Sequence, residues 1–169
     1  MNPRFGRVIT AMITPFNSDG SLDVQGACDL AQWLAEQGNN ALVLAGTTGE
    51  SPTITQDEQI QLVEAVVQAV DIPVIAGAGS NDTRSAITNT QRCEQAGAKG
   101  ILSVTPYYNR PSQAGLYEHY LRISDSTELP IMLYDIPIRS GRKLESESMI
   151  GLAEESEYIV AVNDAAGDI

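Results

Sequence analysis

Short apolar runs of about four to six residues, each closed by Gly or Pro, alternate along the chain with longer stretches whose apolar positions recur at helical spacing. The strand candidates are residues 8–12, 41–45, 74–77, 101–104, 131–134 and 158–162, which begin about every 30 residues. Between them the helical faces carry Leu30, Trp33 and Leu34, then Val63, Val66, Val67 and Val70, then Ile87, Thr90 and Cys93. A fourth face carries Leu116, Tyr117, Tyr120 and Leu121, and a fifth helix runs over about 146–153. Gln37-Gly38 and Ala96-Gly97-Ala98 read as helix stops in which glycine takes a left-handed cap, and in Asp71-Ile72-Pro73 the proline forbids continuation.

Continuously apolar strands suit a parallel sheet covered on both faces, and the intervening helices supply the crossovers that parallel pairing needs. The pattern is a repeated βα unit without a linker or low-complexity tract, a single domain over 1–169. Two architectures fit: an open doubly wound sheet, or part of an eight-stranded barrel, which takes about 250 residues when complete. The first strand leads into Thr14-Pro15-Phe16 rather than a glycine-rich phosphate turn, Gly77-x-Gly79 lacks a third glycine, and no Gly-Lys-Ser/Thr is present. Periodicity alone leaves both open.

Composition narrows the function classes. The chain has 10 Lys+Arg against 22 Asp+Glu, a net charge of −12, and its basic residues are scattered apart from Arg142-Lys143, so nucleic acid is a poor partner. Cys28 and Cys93 lie far apart inside helical patterns and read as reduced core residues, which points to the cytoplasm. No apolar run reaches the roughly 18 residues of a membrane span, and the N-terminal MNPRFGRV has no apolar signal core, so no membrane role is expected. Asn81-Asp82-Thr83 matches a glycosylation sequon by chance on this reading.

Either architecture places function at the carboxyl ends of the strands. After the second strand stands Gly46-Thr47-Thr48-Gly49-Glu50-Ser51, an ordinary turn or a seat for a small carboxylate on hydroxyls and exposed N–H groups. Gly77-Ala78-Gly79-Ser80-Asn81-Asp82 reads most simply as a turn ending in a helix cap. The fourth strand runs into Thr105-Pro106-Tyr107-Tyr108-Asn109-Arg110-Pro111, and the fifth into Tyr134-Asp135-Ile136-Pro137-Ile138-Arg139-Ser140-Gly141. Phenols can relay protons and a guanidinium can hold a carboxylate bidentately, so three such clusters at corresponding positions favour a shared site. The lone His119 falls mid-helix as a packing or surface residue, which leaves no serine triad, and no His/Cys/carboxylate spacing marks a metal site.

These three clusters, in this order and spacing from about Gly6 to the last residue, resemble dihydrodipicolinate synthase, of the pyruvate-dependent class I aldolase superfamily that includes N-acetylneuraminate lyase. The resemblance implies a (β/α)8 TIM barrel of which the first six βα units are present. It also implies a cytoplasmic, oligomeric lyase without metal or cofactor. In that family pyruvate forms a Schiff base with a lysine on the sixth strand and condenses with aspartate semialdehyde, in lysine and diaminopimelate biosynthesis. Carried over residue by residue, Thr47 and Tyr134 match the proton relay, and Tyr108 the relay tyrosine lent by a neighbouring subunit. Thr48 matches the group that holds the pyruvate carboxylate, and Arg139 the one that binds the semialdehyde carboxylate. Asp135 stands where Asn is usual, a change expected to be mild.

The sixth strand departs further. In Ala161-Val162-Asn163-Asp164-Ala165-Ala166-Gly167 the position of the family lysine is Asn163, whose delocalised amide cannot add to a ketone. Lys99, before the fourth strand, and Lys143, beyond Arg139, do not obviously replace it. The seventh and eighth units are absent, so a fragment of a longer chain or a diverged product is expected, with impaired chemistry and strand edges that need covering. The alternatives are a non-catalytic truncated paralogue assembling with a full-length homologue or with itself, and a sister sugar-acid lyase, against which Arg139 argues.

Overall fold

Helix ends form where the sequence punctuates them. In the structure, a computed structural model that describes residues 4–167, the Thr55 side chain accepts from the Glu58 amide at 3.2 Å while the Glu58 carboxylate accepts from the Thr55 amide at 2.8 Å. This reciprocal capping starts α2 (Gln56–Ala69). Asp23 caps α1 (Val24–Glu36) through the Gly26 amide at 2.9 Å, and Ser112 caps α4 (Gln113–Ser124) through the Gly115 amide at 3.2 Å. At the end of α3 (Thr83–Gln95), Gly97 takes φ +96°, and the Gly97 and Ala98 amides turn back to the carbonyls of Glu94 and Cys93.

The strands are β1 (Ile9–Ala11), β2 (Ala41–Leu44), β3 (Val74–Gly77), β4 (Gly100–Val104), β5 (Ile131–Asp135) and β6 (Ile159–Asp164). The helices α1 to α4 separate β1 from β2, β2 from β3, β3 from β4 and β4 from β5 in turn. Two further helices, α5 (Pro137–Ser140) and α6 (Ser146–Glu155), lie between β5 and β6. Each predicted strand is found, 74–77 with the same ends and the others with an end shifted by one or two residues.

The described residues group into two compact units. In residues 4–77 and 92–100, β1, β2 and β3 pair in parallel, Ile9 with Ala41 and Leu42 with Val74. All four residues of β2 are buried, as a strand covered on both faces requires. The core gathers Met12, Leu42, Leu44, Leu62, Val63, Val66 and Ile75. The α1 face differs from the expectation: its buried residues are Ala27 and Ala31, while Trp33 is 55 % exposed. Small side chains allow close packing there, and the larger apolar residues are left at the rim.

In residues 78–91 and 101–167, β4, β5 and β6 pair in parallel, Ile101 with Ile131 and Ile131 with Ile159. Tyr120 of α4 is buried, with its hydroxyl 3.1 Å from the Thr105 hydroxyl. The start of α6 has no side-chain cap of its own. Gln113 of α4 supplies one, accepting from the Glu145 amide and the Ser148 hydroxyl, each at 3.1 Å, and donating to the Lys143 carbonyl at 2.8 Å.

Candidate active site

In the first unit β2 is followed by Ala45, buried and held at φ +51°, and the chain then turns through Gly46-Thr47-Thr48-Gly49. The turn closes through the Glu50 amide on the Thr47 carbonyl at 3.1 Å and the Ser51 amide on the Gly46 carbonyl at 3.2 Å. Thr14 seals it from beneath, its hydroxyl donating to the Gly49 carbonyl at 2.6 Å. Thr47 and Thr48 are left exposed on a turn whose base is packed. Gly77, at the end of β3, is required beside it, because a Cβ there would collide with the Ala45 carbonyl. Gln59 of α2 donates to the Gly77 carbonyl at 2.7 Å, which fixes the ends of both strands.

In the second unit a bulge sets the register. Ile131 pairs with Ile159 but Met132 pairs with Ala161, so Val160 is an extra residue on β6. From there Tyr134 pairs with Asn163 and Asp135 with Asp164. Without the extra residue Val162 would stand beside Tyr134, because a one-residue slip exchanges neighbours and faces. Val104, Tyr134 and Asn163 therefore share one face of the ladder, and Asp135 and Asp164 the other. Tyr134 is 9 % exposed, and Asn163 is exposed.

Asp135 is fully buried behind Tyr134. One carboxyl oxygen accepts from the Leu144 amide at 3.0 Å, and the other has no hydrogen-bond partner among the described residues. Burial raises its pKa above the usual carboxylate value, against the Leu144 hydrogen bond, and neighbouring Asp164 raises it further. Asp135 thus ties the end of β5 to the far end of the loop that carries Arg139. Ser140 braces the middle of that loop, its hydroxyl 2.8 Å from the Arg142 carbonyl and 3.1 Å from that of Ile136. Arg139 lies exposed on α5. Tyr108, at φ +72°, is 91 % exposed, and the next residue, Asn109, donates to the Asn81 carbonyl at 3.0 Å.

The second unit thus sets Tyr134 beside Asn163 and places Arg139 five residues after Tyr134, whereas Tyr108 projects into solvent. Thr47 and Thr48 occupy the exposed crest of their turn in the first unit. Lys143 precedes the residue Asp135 holds, and Lys99 bonds through its amide to the Val74 carbonyl at the amino end of β3. His119 is 4 % exposed and serves packing, as its mid-helix place suggested. The Val160 bulge and the Asp135 tie were not apparent from the residues. The bulge has no local signal, and the one hint of the tie was an acid within a continuous apolar run. No group of three His, Cys, Asp or Glu suited to a metal occurs among the described residues.

Six parallel strands alternating with helices, with polar side chains in the turns that follow the strands, place the fold in the (β/α)-barrel class. Residues 4–169 match the model of the dihydrodipicolinate synthetase family, and the chain belongs to that family. It is 57 % identical over 166 residues to the 4-hydroxy-tetrahydrodipicolinate synthase of Acidothermus cellulolyticus, covering 97 % of this chain and 54 % of that protein. With the Bacillus subtilis enzyme of the same name it is 47 % identical over 167 residues, 98 % of this chain and 58 % of the relative. Among solved structures, that of the synthase from Cyanidioschyzon merolae with lysine bound superposes with a TM-score of 0.97 at 45 % identity, covering 99 % of this chain and 58 % of the other. The chain spans somewhat more than half the length of these relatives.

Proposed function

We propose that this chain seats the substrates of a 4-hydroxy-tetrahydrodipicolinate synthase, pyruvate and aspartate semialdehyde, and that Asn163 prevents covalent capture of the pyruvate. The observation that carries the reading is the in-register pair Tyr134–Asn163, which sets a phenol beside the position where the family has its lysine. In that condensation an amine adds to the pyruvate C2 carbonyl and water leaves. The resulting iminium accepts the electron pair released when C3 loses a proton, and C3 then attacks the aldehyde. The Asn163 amide nitrogen has no free pair to begin this sequence, so pyruvate binds reversibly as the ketone.

The remaining residues keep roles that do not depend on the lysine. Thr48, on its exposed turn, holds the pyruvate carboxylate, and Thr47 and Tyr134 move protons. Arg139 holds the semialdehyde carboxylate by a bidentate contact. Tyr108 serves a neighbouring subunit, in keeping with an exposed phenol on a constrained backbone, and the protein works as a cytoplasmic homo-oligomer. The similarity to named synthases across nearly the whole chain supports this reading.

Incubation with pyruvate and borohydride at pH 9, read by intact mass, tests it. The native chain is expected to gain nothing, and Asn163→Lys to gain one reduced pyruvyl group. A stoichiometric adduct on the native chain, or none on the lysine variant while it still binds pyruvate, would refute the assignment of position 163.

A further inference from the structure

The loops after β4 and β5 hold four of the chain's ten basic residues: Arg110, Arg139, Arg142 and Lys143. Carboxylates are plentiful, 22 against 10 basic residues, yet arginine–carboxylate pairs such as Arg92–Asp57 and Arg122–Glu118 lie elsewhere. Scarcity of acids therefore does not explain why Arg110, Arg139 and Arg142 have no ion-pair partner among the described residues. The Nε of Arg142 is also buried without a hydrogen-bond partner among the described residues, a state that carries the desolvation cost of a donor unless something pairs with it.

The two loops meet at Gly141. Arg110, on a backbone at φ +46°, lies along it, with Cγ, Cδ and Nε 3.6–3.7 Å from where a Cβ would stand. Gly141 itself takes φ +71° and lies between Arg139 and Arg142 in the chain. The loop beneath is braced along its length. The Ser140 hydroxyl reaches the Arg142 carbonyl and accepts from its amide at 3.3 Å, Gln113 holds the Lys143 carbonyl, and Asp135 holds the Leu144 amide. Guanidinium groups on a braced loop are ready to receive an anion with little further ordering.

We propose that Arg110 and Arg142 form a second anion seat beside Arg139, so that the same loops take a dicarboxylate more tightly than a monocarboxylate of similar size. The proposal rests on the reading above, in which Arg139 holds one carboxylate, and adds a second carboxylate to the ligand. A 2-oxo acid or aldehyde with two carboxylates engages both seats, and one with a single carboxylate leaves Arg110 and Arg142 unpaired.

Calorimetric titration with 2-oxoglutarate and with 2-oxobutyrate at fixed ionic strength tests this, since the two probes differ by a terminal carboxylate. The native chain is expected to bind 2-oxoglutarate about tenfold more tightly, the scale of one charge-assisted contact. Arg110→Gln and Arg142→Gln are each expected to cut that preference about threefold while 2-oxobutyrate binding stays unchanged, which also reports that the variants are folded. Arg142→Lys, which keeps the charge, retains most of the preference. Equal binding of the two probes by the native chain, or a preference indifferent to both Gln variants, overturns the second seat while leaving the Arg139 reading standing. Failure of both probes to bind overturns the two together.

Discussion

His119 is the single histidine of the chain, so the stability contribution of an imidazole can be read here without others overlapping it. Its ring faces the start of α3 from α4, with Nδ1 2.9 Å from the Thr83 hydroxyl and a buried Nε2 that has no hydrogen-bond partner among the described residues. A proton on this ring would create a buried cation. Burial accordingly lowers its pKa to about 4, against the opposing pull of the Asp82 carboxylate. The unfolded chain binds that proton near pH 6.5, so the folded state loses stability as pH falls from about 6.5 toward 4. Between pH 7.5 and 5 the loss comes to about 2 kcal/mol from those two pKa values. For a chain of this size that is a fall of roughly 6 °C in melting temperature. The assay is thermal unfolding by circular dichroism at pH 7.5, 6 and 5, comparing the native chain with His119→Gln. The variant is expected to lose about 6 °C less over this range. Parallel pH dependences in the two proteins would refute the claim that the ring is buried and neutral.

Two further substitutions probe the supports of the candidate site. Asp135→Asn keeps an oxygen for the Leu144 amide and removes a buried ionisable group whose raised pKa makes it destabilising once pH climbs past the ordinary carboxylate value. Melting temperature at pH 7.5 should rise by a few degrees, for a gain of about 1 kcal/mol, and the gain should shrink near pH 4, where the native carboxyl keeps its proton. An unchanged or lower melting temperature at both pH values would refute this. Gly77→Ala would press a methyl into the Ala45 carbonyl. Denaturant unfolding should show a loss of about 2 kcal/mol, the scale of a backbone forced to move in a packed region, and a variant as stable as the native chain would refute the contact.

The strands were legible because each is a short apolar run bounded by residues that end helices locally, such as Gly38 and Gly97. The candidate loops were legible because hydroxyls, phenols and an arginine interrupt those runs at corresponding points. What escaped notice depends on partners remote in the chain. The Val160 bulge exists only against the register of β5, and nothing in Ile159-Val160-Ala161 distinguishes an extra strand residue from an ordinary one. The cap on α6 comes from Gln113, some 30 residues earlier. On α1 the periodicity marked Trp33, Leu30 and Leu34 by size, whereas packing selected Ala27 and Ala31. α5 is too short for a periodic signal, and its local marks are Pro137 at its start and Gly141 just after its end.

The bulge also bears on what a lysine at position 163 could do. Register and face at this position are set by Val160 and by pairing with β5, not by the side chain, so Asn163→Lys changes the chemistry and leaves the neighbour, Tyr134, in place. Position 163 is nevertheless exposed in this chain. A lysine becomes a strong nucleophile at neutral pH when burial or a nearby cation lowers its pKa, and an exposed one keeps a value near 10.4. At pH 7 only about one amine in 2,500 would then be unprotonated. The rate of adduct formation by Asn163→Lys should therefore climb about tenfold per pH unit up to roughly pH 10, as free-amine availability dictates. A rate already level at pH 7 would mean that the environment of position 163 depresses the amine's pKa, and that its exposure is not what the chemistry experiences.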